Sequence, residues 1–225
     1  MLEVILDTET TGLSFNSDRI IEIACVELKN QIPTKNVFHV FVNPEMDISD
    51  GAYQTHGITR EFLRDKPTFK DVAKDFLAFV KNSQLVIHNA DFDLAFLNKE
   101  LQNIDLPTIP KDRVVDTLFL ARQKFPGSQA SLDALCKRFK IDTSVREKHS
   151  ALIDCNLLTE VYIELLDKKE PWLDLQETAE TINEKNAPRK INQNRKKIIV
   201  YPSEEEIKLH REFLKNHVPK SFMLK

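Results

Sequence analysis

Short apolar runs occupy the first part of the chain, and helical spacing takes over later. LEVIL (2–6) is a brief, mostly apolar run with β-branched content and reads as a buried strand. Arg19-IIEIACVEL-Lys29 alternates well enough for a second strand, and VFHVFV between Asn36 and Asn43 for a third. Pro33 and its polar neighbours suit the connection between them, and so short a link favours antiparallel pairing. From about residue 59 the period changes. Phe69, Val72, Ala73, Phe76, Leu77 and Val80 recur at helical spacing and predict a helix over 68–81. QLVIHN (84–89) is another short strand, followed by a helix over 92–102 through Phe96, Leu97 and Leu101. Further helices are expected over 116–124, 131–139 and 150–166, with VVD (114–116) as a brief parallel strand. An antiparallel meander followed by alternating helices and strands predicts an α/β fold, a mixed sheet covered by helices.

The pattern stops near Leu166. Residues 167–197 are polar apart from the apolar cluster around Trp172, and the stretch after Gln176 reads as a flexible linker. IIVY (198–201) reads as a strand. Ser203 followed by three glutamates is a strong helix start, with that helix expected to run to about Asn216. The expected division is a domain over 1–166, a linker over 167–197 and a short strand-helix tail over 198–225.

Composition narrows the classes. The chain of 225 residues is 41% hydrophobic and 30% charged, which supports a real core and excludes wholesale disorder. No run of apolar residues is long enough to span a membrane, and MLEVILDTETTG lacks the features of a signal peptide. Cys25, Cys136 and Cys155 form no CxxC pair, so a disulfide framework and a zinc ribbon are not expected and a reducing, cytoplasmic setting fits best. Four glycines allow neither GxGxxG nor GxxxxGK[ST]. The net charge of −3 hides an asymmetry: residues 168–225 hold 13 basic and 9 acidic residues, leaving 19 basic and 26 acidic in 1–167. A body at −7 does not grip nucleic acid by charge alone, so handling phosphates there needs an added cation.

Candidate chemistry lies in four acids. Asp7 and Glu9 are two apart at the end of a strand and therefore share a face, a costly arrangement without a cation between them. On the helix after His149, the residues Ala151, Asp154, Leu158, Val161 and Leu165 form one stripe, apolar except for Asp154. Asp93 shares its face with Phe96 and Leu97. A carboxylate facing a core needs a partner or a metal, and none of these acids has a basic partner one turn away on its own face. Oxygen ligands favour Mg²⁺ or Mn²⁺ over zinc. His149 is five residues before Asp154, about 140° away on a helix, and reaches the same cleft only from the incoming loop.

The blocks DTETTG (7–12), IIEIA (20–24), THGIT (55–59), DKPTF (65–69), VIHNADFD (86–93), FPG with SLDALC (125–136) and KHSALIDCNLLTEVY (148–162) cover nearly all of 1–166. In this order they resemble the DEDDh exonuclease superfamily, and within it the proofreading subunits of bacterial replicative polymerases. The resemblance implies an RNase H-like fold with a five-stranded mixed sheet. It implies two divalent cations, Mg²⁺ or Mn²⁺, with Asp7 bridging both, Glu9 and Asp154 completing the first site and Asp93 serving the second. His149 becomes the general base. Thr10, Thr11, Leu13, His56, Asn89 and Phe92 match positions that line the pocket for the terminal nucleotides. Asp91 departs from the pattern and reads as a helix N-cap.

The implied substrate is a single-stranded or frayed DNA 3′ end, cut to release a nucleoside 5′-monophosphate. IIVYPSEEEIKLH (198–210) is similar to the segment that holds the polymerase's alpha subunit, with Ile198, Ile199, Val200, Ile207 and Leu214 as anchors. Residues 170–175, carrying Trp172, Leu173 and Leu175, resemble a sliding-clamp peptide with Glu170 in place of Gln. Two other readings share these residues. An RNA-processing exonuclease would use the same acids, which do not read the 2′-OH, but has no evident use for the tail. A non-catalytic binding module would not need all four acids and His149.

Overall fold

β1 (Leu2–Thr10) runs through the middle of a five-stranded sheet of order β3-β2-β1-β4-β5. The computed structural model describes residues 2–144, 146, 148–166 and 202–217. β2 (Ile20–Lys29) pairs antiparallel with β1 and with β3 (Ile32–Phe41), while β4 (Gln84–Ile87) and β5 (Val114–Asp116) add parallel strands on the other side. This is the expected mixed sheet.

A central strand is covered on both faces. Val4 and Leu6 pack with Phe69 and Phe76 of α3 (Phe69–Val80) and Phe96 and Leu97 of α4 (Ala90–Asn103). Ile5 packs on the opposite face with Ala151, Cys155, Leu158 and Tyr162 of α7 (Ala151–Leu165). Val4, Ile5 and Leu6 are wholly buried, each contributing about 1.5–3 kcal/mol of apolar burial. The third core cluster joins α7 to α5 (Thr117–Lys124) and α6 (Leu132–Phe139) through Ala121, Leu135, Leu157 and Val161.

Differences from the hydrophobic pattern have local causes. β1 continues four residues past the apolar run, because Asp7 through Thr10 still pair with β2, with a register shift at Glu9/Thr10. The hairpin between β2 and β3 turns at Asn30 and Gln31, whose φ angles of 54° and 64° make the tight turn that suits twisted strands. Pro33 therefore lies inside β3 and not in the connection; an edge strand tolerates its missing N–H. Two helices escaped the period altogether. α1 (Asp50–His56) and α2 (Arg60–Leu63) have seven and four residues, too few to show a stripe.

Two compact units divide near Trp172, one of Met1–Trp172 and one of Leu173–Lys225. In the second, α8 (Glu204–His217) begins as expected. The Ser203 N–H donates to the Glu206 carboxylate at 2.7 Å, and the Glu206 N–H donates back to Ser203 Oγ at 3.3 Å, a reciprocal cap. Ile207 and Leu209 are exposed there. The backbone of Leu214 falls in α8, whereas Trp172, Leu173, Leu175, Ile198, Ile199 and Val200 lie outside the described residues. No helix among the described residues is long and apolar enough to cross a membrane.

Candidate active site

Three chain segments bring the acids together: the end of β1, the first turn of α4 and the first turn of α7. Asp7 and Glu9 lie on the β1 face that also carries Ile5, toward α7. Asp93 comes from α4, which starts at Asn89 with φ 63°. Asp91 is not the N-cap; it stands exposed inside the first turn of α4 and pairs with Lys111 at 2.5 Å. Asn89 takes the cap position because its left-handed backbone makes the sharp turn from β4.

The loop before α7 is fastened at two points. The His149 N–H donates to the Thr55 carbonyl at 3.2 Å. Glu22, wholly buried on β2, accepts from Ser150 Oγ at 3.1 Å and the Ala151 N–H at 3.2 Å, and meets His39 Nε2 at 2.7 Å. Glu22 thus anchors the start of the helix that carries Asp154. It was legible by the rule applied to Asp154, since it interrupts the apolar run from Ile20 to Val26.

Crowding dominates the electrostatics. Burial, followed by the charges of Asp93, Glu9 and Asp154, holds the Asp7 carboxyl well above the usual range. Burial pushes Glu9 up to about 8, with His149 opposing. Burial raises Asp93 to about 7 against the pull of hydrogen bonds from Thr8. Donor atoms of Glu9, His149 and Asp154 lie within 4.8 Å of one another.

Asp154 has one cationic neighbour that the one-turn rule could not find, because it lies on the incoming loop. Arg146 Nη2 donates to Asp154 Oδ2 at 2.7 Å, and Arg146 Nε lies 2.6 Å from Asp154 Oδ1. The second contact is close enough for an ion pair but lacks hydrogen-bond alignment, leaving Oδ1 a buried acceptor without an aligned donor. Arg146 Nη1 also pairs with Asp133 on α6. His149 Nδ1 is 3.1 Å from Asp154 Oδ2, and that hydrogen bond raises the imidazole above its usual range. An oxygen-rich, mutually repelling donor set with an unaligned buried oxygen fits a hard divalent cation.

Two cavities open beside the cluster. One of about 400 Å³ is lined by Glu9, Thr10, Leu13, His56 and Phe92 among others. The other, about 670 Å³, takes in Asp7, Asn89, Arg146, His149 and Asp154. Thr11 lines neither; it is wholly buried, accepts from the Arg19 N–H and contacts Asp18, so it holds the following loop. Asp18 also accepts from the Ser14 N–H at 2.9 Å, and its carboxylate sits where a Cβ on Gly12 would fall.

Comparison with known proteins shows the family. The RNase_T exonuclease family model matches residues 4–162. A solved Exonuclease X in complex with 5′ overhanging duplex DNA is 31% identical, with a TM-score of 0.58 over 74% of this chain and 92% of that one. The nuclease domain of 3′hExo, described as a DEDDh family member bound to rAMP, shares the fold at 21% identity and a TM-score of 0.64, over 75% of this chain and 92% of that one. The chain belongs to the exonuclease family and is a metal-dependent 3′–5′ exonuclease. The group within that family is that of the DNA polymerase III epsilon subunits: the protein of that name from Rickettsia conorii is 45% identical over 218 residues, 94% of each chain.

Proposed function

We propose that this chain is the proofreading subunit of a bacterial replicative polymerase, removing mispaired 3′-terminal deoxynucleotides as 5′-monophosphates with two divalent cations, Mg²⁺ or Mn²⁺. Asp7, Glu9 and Asp154 would hold one cation and Asp93, together with Asp7, the other. The observation that carries the reading is the convergence of Glu9, His149 and Asp154 within 4.8 Å, with Asp7 buried among the charges of Asp93, Glu9 and Asp154. When bound, the cations offset the charge of the scissile phosphate and acidify a water molecule.

The chain's own residues do the rest. His149 takes the proton of the attacking water. With Nδ1–H donating to Asp154 Oδ2 at 3.1 Å, Nε2 is left as the accepting atom. The terminal nucleoside enters the cavity floored by His56 and walled by Phe92, whose ring packs 4.9 Å from that of Phe96. Leu13, 88% exposed, stands at its mouth, free to cover a base or sugar. An unpaired end reaches this cavity and a paired one does not, so selectivity for errors follows from the cost of unpairing, on the order of a few kcal/mol. Thr10 and Asn89 belong to the same nucleotide-binding surface, and Thr11 supports it from behind.

Residues 198–225 are the tether to the polymerase alpha subunit and residues 170–175 the contact to the sliding clamp, with 167–197 as the linker. The relatives' name as polymerase subunits supports the association with the polymerase. Tethering raises the effective concentration of an acidic domain at the primer end. The test is mononucleotide release from matched and mispaired DNA primers and from RNA, followed by copurification with the alpha subunit of the full chain and of residues 1–167. Faster cutting of mispaired DNA, with copurification lost in the truncation, supports the reading. A preference for RNA, or no binding by the full chain, contradicts it.

A further inference from the structure

We propose that Arg146 is an internal counter-ion for Asp154 that competes with the divalent cation, and that Asp133 receives it when the cation binds. The inference rests on the reading of Asp154 as a metal ligand. The guanidinium lies against both oxygens of that carboxylate, at 2.6 and 2.7 Å. Its Nη2 is also 2.7 Å from His149 Nδ1, so it covers two of the three groups whose donor atoms converge. Both side chains are nearly out of solvent, 7% exposed for Arg146 and 5% for Asp154. A carboxylate buried to that degree is costly to keep charged without a cation, and Arg146 supplies one in the metal-free protein. A divalent ion on the same oxygens is repelled by the guanidinium and competes with it for the lone pairs that face the cluster.

The exit is already built. Arg146 Nη1 pairs with Asp133, whose carboxylate is 69% exposed on α6. A swing about that contact carries the guanidinium away from Asp154 while its charge stays paired. Asp133 therefore lowers the cost of loading metal although it is no ligand. The arrangement makes opposite predictions for the two partners, which a merely structural ion pair would not.

The test is calorimetric titration of the substrate-free full chain with Mn²⁺. Arg146→Gln is expected to bind Mn²⁺ about tenfold more tightly than wild type, in the range that residues around metal ligands typically exert, and to melt at a lower temperature in EDTA. Asp133→Asn is expected to bind Mn²⁺ more weakly, because the guanidinium loses its alternative partner. Asp154→Asn serves as control and should lose most of the affinity. Equal or weaker binding by Arg146→Gln, with the control behaving as expected, overturns the competition and leaves the metal site standing. Unchanged affinity in Asp154→Asn overturns the ligand assignment itself. If Arg146→Gln does not fold, Asp133→Asn decides alone, and unchanged or tighter binding by it refutes the proposal.

Discussion

Thr8 gives both its backbone N–H and its hydroxyl to one oxygen of Asp93, at 3.1 and 2.6 Å. The two residues are 85 positions apart, and the bond fixes the first turn of α4 against β1 with Oδ2 of Asp93 left for other work. Thr8→Val keeps the branched shape and removes only the hydroxyl. It is expected to cost about 1–2 kcal/mol of stability, read from denaturant unfolding in EDTA. An unchanged midpoint would mean that the hydroxyl bond carries no net weight.

With His149 as the proposed general base, activity should have an acid limit. A protonated imidazole cannot accept a proton, so the rate should fall as pH drops through its pKa, which the Asp154 hydrogen bond places above the ordinary histidine value. His149→Gln should lower kcat by roughly 10²–10⁴ and abolish this limb. A variant with the wild-type profile would remove His149 from the mechanism.

The arrangement of strands was readable because the apolar runs of β1, β2 and β4 fall in the sheet's buried centre, and Asp154 was readable because it interrupts a core stripe. Other features leave no such trace. Arg146 reaches Asp154 from a loop, where neither period nor register predicts a contact. α1 is set by its ends: Ser49 Oγ accepts from the Ala52 N–H and Gly57 closes it with φ 71°. The resemblance of THGIT to the family's motif marked His56, but the sequence alone did not show that a helix delivers it.

Glycines at the two ends of α1 separate backbone demand from packing. A Cβ at Gly57 would face a positive φ and lie 2.7 Å from the Lys148 side chain, next to His149. Gly57→Ala should cost about 1–2 kcal/mol and reduce kcat by displacing the His149 loop. Gly51→Ala meets open space within the helix and should stabilise by roughly 0.5–1 kcal/mol. Thermal melts of the two variants check the contrast; equal effects would show that neither conformation nor contact matters at Gly57.

Metal-free stability should depend on pH in a direction set by the acids. Glu9 and Asp93 titrate at about 8 and about 7 in the folded chain but near 4 when unfolded. Between those values the folded state binds more protons, so stability falls as pH rises from about 4 to 8. Divalent cations should restore most at the upper end of that window. Melting in EDTA across the range tests this, and a cluster contribution that grows with pH would reverse the account.

Burial, and then the charges of Asp93, Glu9 and Asp154, hold Asp7 well above the usual carboxylate range, and Asp7 is the proposed ligand common to both cations. The direct measurement is release of labelled nucleoside 5′-monophosphate from a 3′-labelled single strand by wild type and Asp7→Ala, each with Mn²⁺ and with EDTA. The prediction is rapid release by wild type with metal, none in EDTA, and a drop of roughly three orders of magnitude or more in the variant, which still folds without metal because a like charge has been removed. Undiminished hydrolysis in EDTA, or an Asp7→Ala protein that keeps the wild-type rate, would contradict it.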